Sequence, residues 1–131
     1  MTTLTMALLD NNFPPSLNKR LHWRVRSNLN IAWKNHVYWH VQEQKTKMGK
    51  MPYPWADIKI IYYACRPMDW DNAYTSAKPL VDGLKVAGVI EDDSPKHIEL
   101  LVRTIKVAHI KEQKIEIIIT LPACIYLCRL T

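Results

Sequence analysis

Residues Ala56 to Cys65, ADIKIIYYAC, restrict what this chain can fold into more than any other segment. β-branched and aromatic side chains fill the run, and these suit the packed, pleated surface of a sheet. The run predicts a strand buried on both faces, which demands strands beside it and helices against it. The flanking sequence supplies both. Thr3 to Leu9 reads as a first strand. Asn28 is the expected N-cap of a helix running to about Thr46, with Leu29, Ala32, Trp33, Val37 and Val41 at helical spacing. Gly49, Pro52 and Pro54 end it. A second helix is expected from about Asp71, carried by Ala73, Ala77, Leu80, Val81 and Leu84 and stopped by Gly88. Ile98 to Val107 and Lys114 to Leu121 read as two more strands. Their short connection, His109 to Gln113, predicts an antiparallel hairpin. The expected fold class is α/β: a single domain, residues 1–131, in the order β-α-β-α-β-β, with helices packed against a mixed sheet. The terminal stretch from Pro122 to Thr131 is apolar and is expected to cover the core or a second subunit.

Charge is distributed unevenly along this frame. Six of the twelve carboxylates lie between Asp69 and Asp93, balanced there only by Lys78 and Lys85. The remainder holds sixteen Lys and Arg against six acids, and the whole chain carries +6. An acidic knot inside a basic chain suggests a hard divalent cation, which prefers oxygen ligands, held against a polyanion such as a phosphate backbone. An extended chain at Asp69 and Asp71 would turn both carboxylates to one side and Trp70 to the other. Each acid also has a structural reading. Asp71-Asn72 suits a helix start and Asp92-Asp93-Ser94-Pro95 suits a turn. No apolar run approaches the roughly 20 residues that span a bilayer, so no membrane partner is expected. Three cysteines without disulfide spacing fit a reducing cytoplasm. Zinc at Cys124 and Cys128 would need distant partners. His36 and His40, one helical turn apart, have no acid between them and read as surface or interface residues. Trp33 and Trp39 read as core or interface.

Three spaced elements carry a resemblance. Asp69-Trp70-Asp71-Asn72, then Lys78-Pro79-Leu80-Val81-Asp82-Gly83-Leu84, then Ala87-Gly88-Val89-Ile90-Glu91-Asp92-Asp93 resemble the RusA family of Holliday junction endonucleases. That family reads D-x-D-N, a lysine, D-A-L, then A-G and a D-D pair. Pro14-Pro15-Ser16-Leu17-Asn18 is similar to its N-terminal P-P-S-x-N element, so the likeness covers most of the chain from Phe13 onward. It implies a RusA-like domain and a small homodimer that cuts branched DNA, four-way junctions above all. The expected cofactor is magnesium, with manganese as an alternative, and the expected setting is the nucleoid in the cytoplasm of a bacterial host carrying a phage or prophage. Carried over by position, the metal-binding carboxylates fall on Asp69, Asp71 and Asp93. The catalytic lysine falls on Lys78, completing a catalytic set of four. Asp82 and Asp92 are expected to orient those carboxylates or the lysine.

The chain departs from the founding pattern twice. The interval from Asp71 to Lys78 is three residues longer. On a continuous helix that rotates a side chain by roughly 300° and adds about 4.5 Å, although Pro79 can kink the helix or start a new one. The founding run of arginines before the first aspartate shrinks to Arg66. Backbone contacts are therefore expected from Lys19, Arg20, Arg24 and Arg26, with His22 and Trp23 stacking on exposed bases. Two readings compete with a nuclease: a non-catalytic accessory protein that binds branched DNA and retains the fold, and a metal-dependent phosphohydrolase acting on nucleotides.

Overall fold

A computed structural model describes residues 1–9, 12–16 and 19–121. Leu17, Asn18, Cys124, Cys128 and the 122–131 stretch lie outside the described residues. The order is β1 (Thr2–Met6), α1 (Trp23–Met48), β2 (Ala56–Ala64), α2 (Trp70–Ser76), α3 (Lys78–Val86), β3 (Ile98–Lys106) and β4 (Lys114–Thr120). A 3₁₀ turn at Ile110–Glu112 precedes β4. The four strands form one mixed sheet in the order β1-β4-β2-β3. The expected α/β frame and mixed sheet are present.

The sheet is held to its helices by alternation. Ile58, Ile60 and Tyr62 of β2, Ile115, Ile117 and Ile119 of β4, and Leu4 and Met6 of β1 are all buried on one face. They meet Trp33, Val37 and Val41 from α1 and Leu80 and Leu84 from α3. At about 1.5–3 kcal/mol for each fully buried aliphatic side chain, β4 alone supplies a large share of the drive to close this layer. Gly83 lets the two long helices touch: a Cβ there would lie 2.8 Å from Val37 Cβ. The strand at 56–64 is not buried on both faces along its whole length. Asp57 and Lys59 are exposed, and only from Ile60 to Tyr62 is burial continuous.

The expected hairpin is overturned. β3 pairs with β2 in parallel, while β4 runs antiparallel to both β2 and β1. The connection after β3 therefore passes the end of β2, where Val107 donates to Ala64 and Cys65 donates to the side chain of Gln113. Two strand spacings amount to about 9.6 Å, which a short loop spans easily. Placing β4 inside the sheet buries three isoleucines, whereas a hairpin would have left them on an edge.

Both helix boundaries differ from expectation. α1 begins at Trp23, not after Asn28, because the His22 side chain accepts from Arg24 N at 3.2 Å and the His22 carbonyl accepts from Arg26 N. The single helix expected from Asp71 is two helices joined at Ala77. Pro79 lies in the first turn of α3 and has no N–H to continue the ladder of α2. Gly88 follows α3 with φ +81°, as expected of a stop. Trp33 is core, whereas Trp39 is 64% exposed and belongs to the surface. The His36 and His40 rings meet edge to face at 4.8 Å, and His36 reaches the Ala7 carbonyl at 3.1 Å. No described helix is long and apolar enough to cross a membrane.

Candidate functional site

The site is organised by the break between α2 and α3. Lys78 opens α3, with Asp82 one turn on and Lys85 one turn beyond that, so the three share a face. The chain after Gly88 then returns along that face. It is pinned where Tyr53 N donates to Val89 O at 2.8 Å, and where His97 and Ile98 amides donate to Ser94 O. His97 Nδ1 also lies 3.5 Å from Glu91 and 3.1 Å from the Pro54 carbonyl, which ties the turn to the approach to β2. The return sets Asp92 against Lys85 at 2.9 Å and Asp93 against Lys78 at 2.5 Å, and Lys78 holds Asp82 at 3.0 Å. The interval from Asp71 to Lys78 is thus divided between two helices rather than spanned by one.

These contacts fix protonation. Hydrogen bonds to Asp93 and Asp82 raise the Lys78 ammonium above its ordinary pKa, so it is charged throughout the physiological range. Lys85 is raised in the same way by Asp92. The Lys85 ammonium, aided by a backbone hydrogen bond at Asp93, holds the Asp92 carboxyl down to about 2.

Asp69 and Asp71 stand at the other end of α2. Asp69 is extended, with φ −61° and ψ 153°, and its carbonyl accepts from Ala73 N at 2.9 Å, which makes it the N-cap. The helix therefore begins at Trp70, and Asp71 sits in its first turn, where its carboxylate accepts from Asn72 N. Of the two readings of this segment, the helix start at Asp71-Asn72 is the one present, since the Asp69 cap draws the next residue into the helix. Trp70 between them is 77% exposed. Among the described residues neither Asp69 nor Asp71 makes an ion pair. Both carboxylates stand at the positive end of α2.

A cleft of about 470 Å³ opens beside the Lys78–Asp93 contact, lined among others by Tyr74, Val81, Ile98 and Leu100. Tyr74 follows Asp71 by three residues and so continues its helical face toward Lys78. That spacing was readable in the sequence. Ile98 and Leu100 were not, because they reach the cleft through strand pairing, on β3 beside Ala56 and Ile58 of β2. The Pro14-Pro15 element supports the same joint from below. Buried Ser76, the last residue of α2, donates its hydroxyl to the Pro14 carbonyl, and Phe13 packs edge-on to Tyr62 at 5.5 Å.

For a divalent cation the donor chemistry is right, since Asp69, Asp71 and Asp93 offer only hard oxygens. Among the described residues, no three His, Cys, Asp or Glu side chains are gathered into one ion-holding group. Asp93 instead grips the Lys78 ammonium. In the basic arm, Arg26 is structural: its guanidinium donates to the Ser16 and Lys19 carbonyls. Lys19, Arg20 and Arg24 remain exposed, with Arg24 over the Trp23 ring at 5.1 Å and His22 stacked beside it. No protein-family model and no curated protein matches the chain.

Proposed function

We propose that this chain is a magnesium-dependent, structure-selective endodeoxyribonuclease of the RusA type, acting as a homodimer on Holliday junctions and other branched DNA at the nucleoid. The observation that supports it most is the contact of Lys78 with Asp93 and Asp82, residues that the family pattern singles out and that lie fifteen and four positions apart. Asp69, Asp71 and Asp93 would hold the ion, with manganese able to substitute. The ion would supply water activation and neutralise charge on the scissile phosphate. Lys78 stays protonated and lies in the cleft, where it stabilises negative charge developing on the leaving oxygen. Asp82 and Asp92 position the two lysines of α3 on that face. Lys19, Arg20 and Arg24 track the backbone, while Trp23 offers a face to an unstacked base at the branch.

The test is cleavage of a synthetic four-way junction beside a linear duplex, with magnesium, by wild type and Asp71→Asn. Metal-dependent cutting of the junction by wild type alone is expected, with a loss of at least about a hundredfold on substitution. Absence of cutting by wild type sinks the nuclease reading, and equal cutting of the duplex removes junction selectivity. The grip of Asp93 on Lys78 favours a second reading, a non-catalytic accessory protein for branched DNA. Junction binding by wild type without magnesium-dependent cutting would select it.

A further inference from the structure

α1 carries a pair of imidazoles that the proposed chemistry does not use. His36 and His40 sit one turn apart, so they project from the same side of the helix. Both are partly buried, and their ring centroids are 4.8 Å apart with planes at 84°. His36 packs edge-on to buried Trp33 at 5.6 Å, and its Nε2 lies 3.1 Å from the Ala7 carbonyl, just past the end of β1. A carbonyl can only accept, so Nε2 carries the proton and Nδ1 of the neutral ring keeps its lone pair. Histidine ligands of metals are commonly held in this way, the other ring N–H being given to a backbone carbonyl. Glu43, three residues past His40, lies within electrostatic reach of it.

A tetrahedral zinc ion binds imidazole nitrogen at about 2.0–2.1 Å, and the ring centroid lies about 1.1 Å behind that nitrogen. Two imidazoles on one ion therefore have centroids roughly 5 Å apart. The rings of His36 and His40 already stand at that separation. Turning one ring about χ2, a torsion with broad wells, lets a nitrogen of each converge on a single point. The missing acid between them removes the chemistry of an H-E-x-x-H site and leaves the ligand pair. Imidazole suits zinc, nickel and copper, whereas magnesium takes oxygen ligands. We propose that His36 and His40 form a two-imidazole binding site for zinc, distinct from the carboxylates assigned to magnesium and independent of the nuclease reading. Among the described residues no third His, Cys, Asp or Glu joins the pair, so water completes the ion's shell and the ion exchanges. The pair is set at this spacing only by a formed helix, and the Ala7 contact joins it to the end of β1. Zinc held there stabilises the packing of α1 beside β1.

The experiment is calorimetric titration of zinc into the untagged full chain, with the thermal unfolding midpoint followed across the same zinc series. It compares wild type, His36→Ala, His40→Ala and His109→Ala, the last a histidine outside the pair, with far-UV circular dichroism to verify folding. Wild type should bind zinc, and its midpoint should rise with zinc by mass action, because the folded chain alone holds the chelate. Each pair variant should raise the dissociation constant about tenfold or more and lose the midpoint shift. His40→Ala leaves the Ala7 contact intact and carries the test should His36→Ala unfold. His109→Ala should match wild type, and excess magnesium should leave the zinc in place. Cobalt in place of zinc should give no thiolate charge-transfer band, which separates the pair from the three cysteines. No zinc binding up to about 1 mM, undiminished affinity in either folded pair variant, an equal loss in His109→Ala, displacement by magnesium, or a thiolate band overturns the proposal. Cutting is not a readout, so failure of the nuclease reading leaves this result unaffected.

Discussion

Lys78 is the residue on which structural and chemical roles separate most cleanly. Its ammonium bridges Asp82 and Asp93, yet the side chain is 62% exposed, and ion pairs that open to solvent contribute about 0–1 kcal/mol to stability. A group that stabilises developing charge in a phosphoryl transition state is worth several times that, about a hundredfold or more in rate. Lys78→Ala should therefore leave the urea midpoint almost unmoved while junction cutting falls by two orders of magnitude or more. Cutting that survives the substitution would make Lys78 a clamp for the Asp93 turn and nothing else. Sequence alone left this residue unresolved, because the seven-residue interval from Asp71 has no single geometric consequence. A continuous helix displaces Lys78 along the axis, whereas a fresh start at Ala77 lets the following turn return to it. Asp93 and Asp82 were marked only by the resemblance, since by themselves they read as a turn and a solvated helix position. The separation of Asp69 and Asp71 from that turn was not legible, since it depends on where α2 begins.

At the scale of elements, α1 and α3 are coupled through Gly83. A Cβ added there would meet Val37 Cβ at 2.8 Å, Val37 Cγ1 at 3.1 Å and the Lys34 carbonyl at 3.2 Å. Backbone cannot give way as a flexible side-chain tip does, so the helices must part slightly. Gly83→Ala gains roughly 1 kcal/mol in helix propensity, but overpacking of this kind costs about 1–3 kcal/mol. A net loss of about 1 kcal/mol is expected in urea unfolding, and adding Val37→Ala should reverse the steric part. A stabilised Gly83→Ala protein would show that the two helices do not meet here. The apolar phase of Ala73, Ala77, Leu80, Val81 and Leu84 announced this packing face in the sequence. It runs unbroken through the joint because Ala77 keeps helical dihedrals, φ −74° and ψ −15°, which is why two helices looked like one. The place of β4 was illegible for a different reason. A short loop permits both a hairpin and a step past one strand, and only burial of Ile115, Ile117 and Ile119 by neighbours on both sides selects the second.

Over the whole molecule, charge is sorted by surface. The stretch from Asp69 to Asp93 sets six carboxylates against Lys78 and Lys85, so the rest of the chain carries sixteen Lys and Arg against six acids, an excess of ten. The exposed run of Lys19, Arg20 and Arg24 before and within the first turn of α1 is one concentration of it, in a helix start that carries no acid to balance the dipole. Such an arrangement is unfavourable for the helix by itself and favourable against phosphate. Binding of a four-way junction should therefore weaken steeply with salt, the slope of log affinity against log salt counting the phosphates engaged. Replacing Lys19, Arg20 and Arg24 together by alanine should lower that slope by about 2 to 3 for each protomer bound, and Arg24 carries part of it from the helix itself. Replacing Lys59 and Arg103 on the sheet face should leave the slope unchanged while it tests the same number of positive charges less one. Fluorescence anisotropy of a labelled junction across a salt series reads both. An equal change from the two sets would mean that the DNA senses only net charge, and an unchanged slope in the first would move the DNA track away from α1.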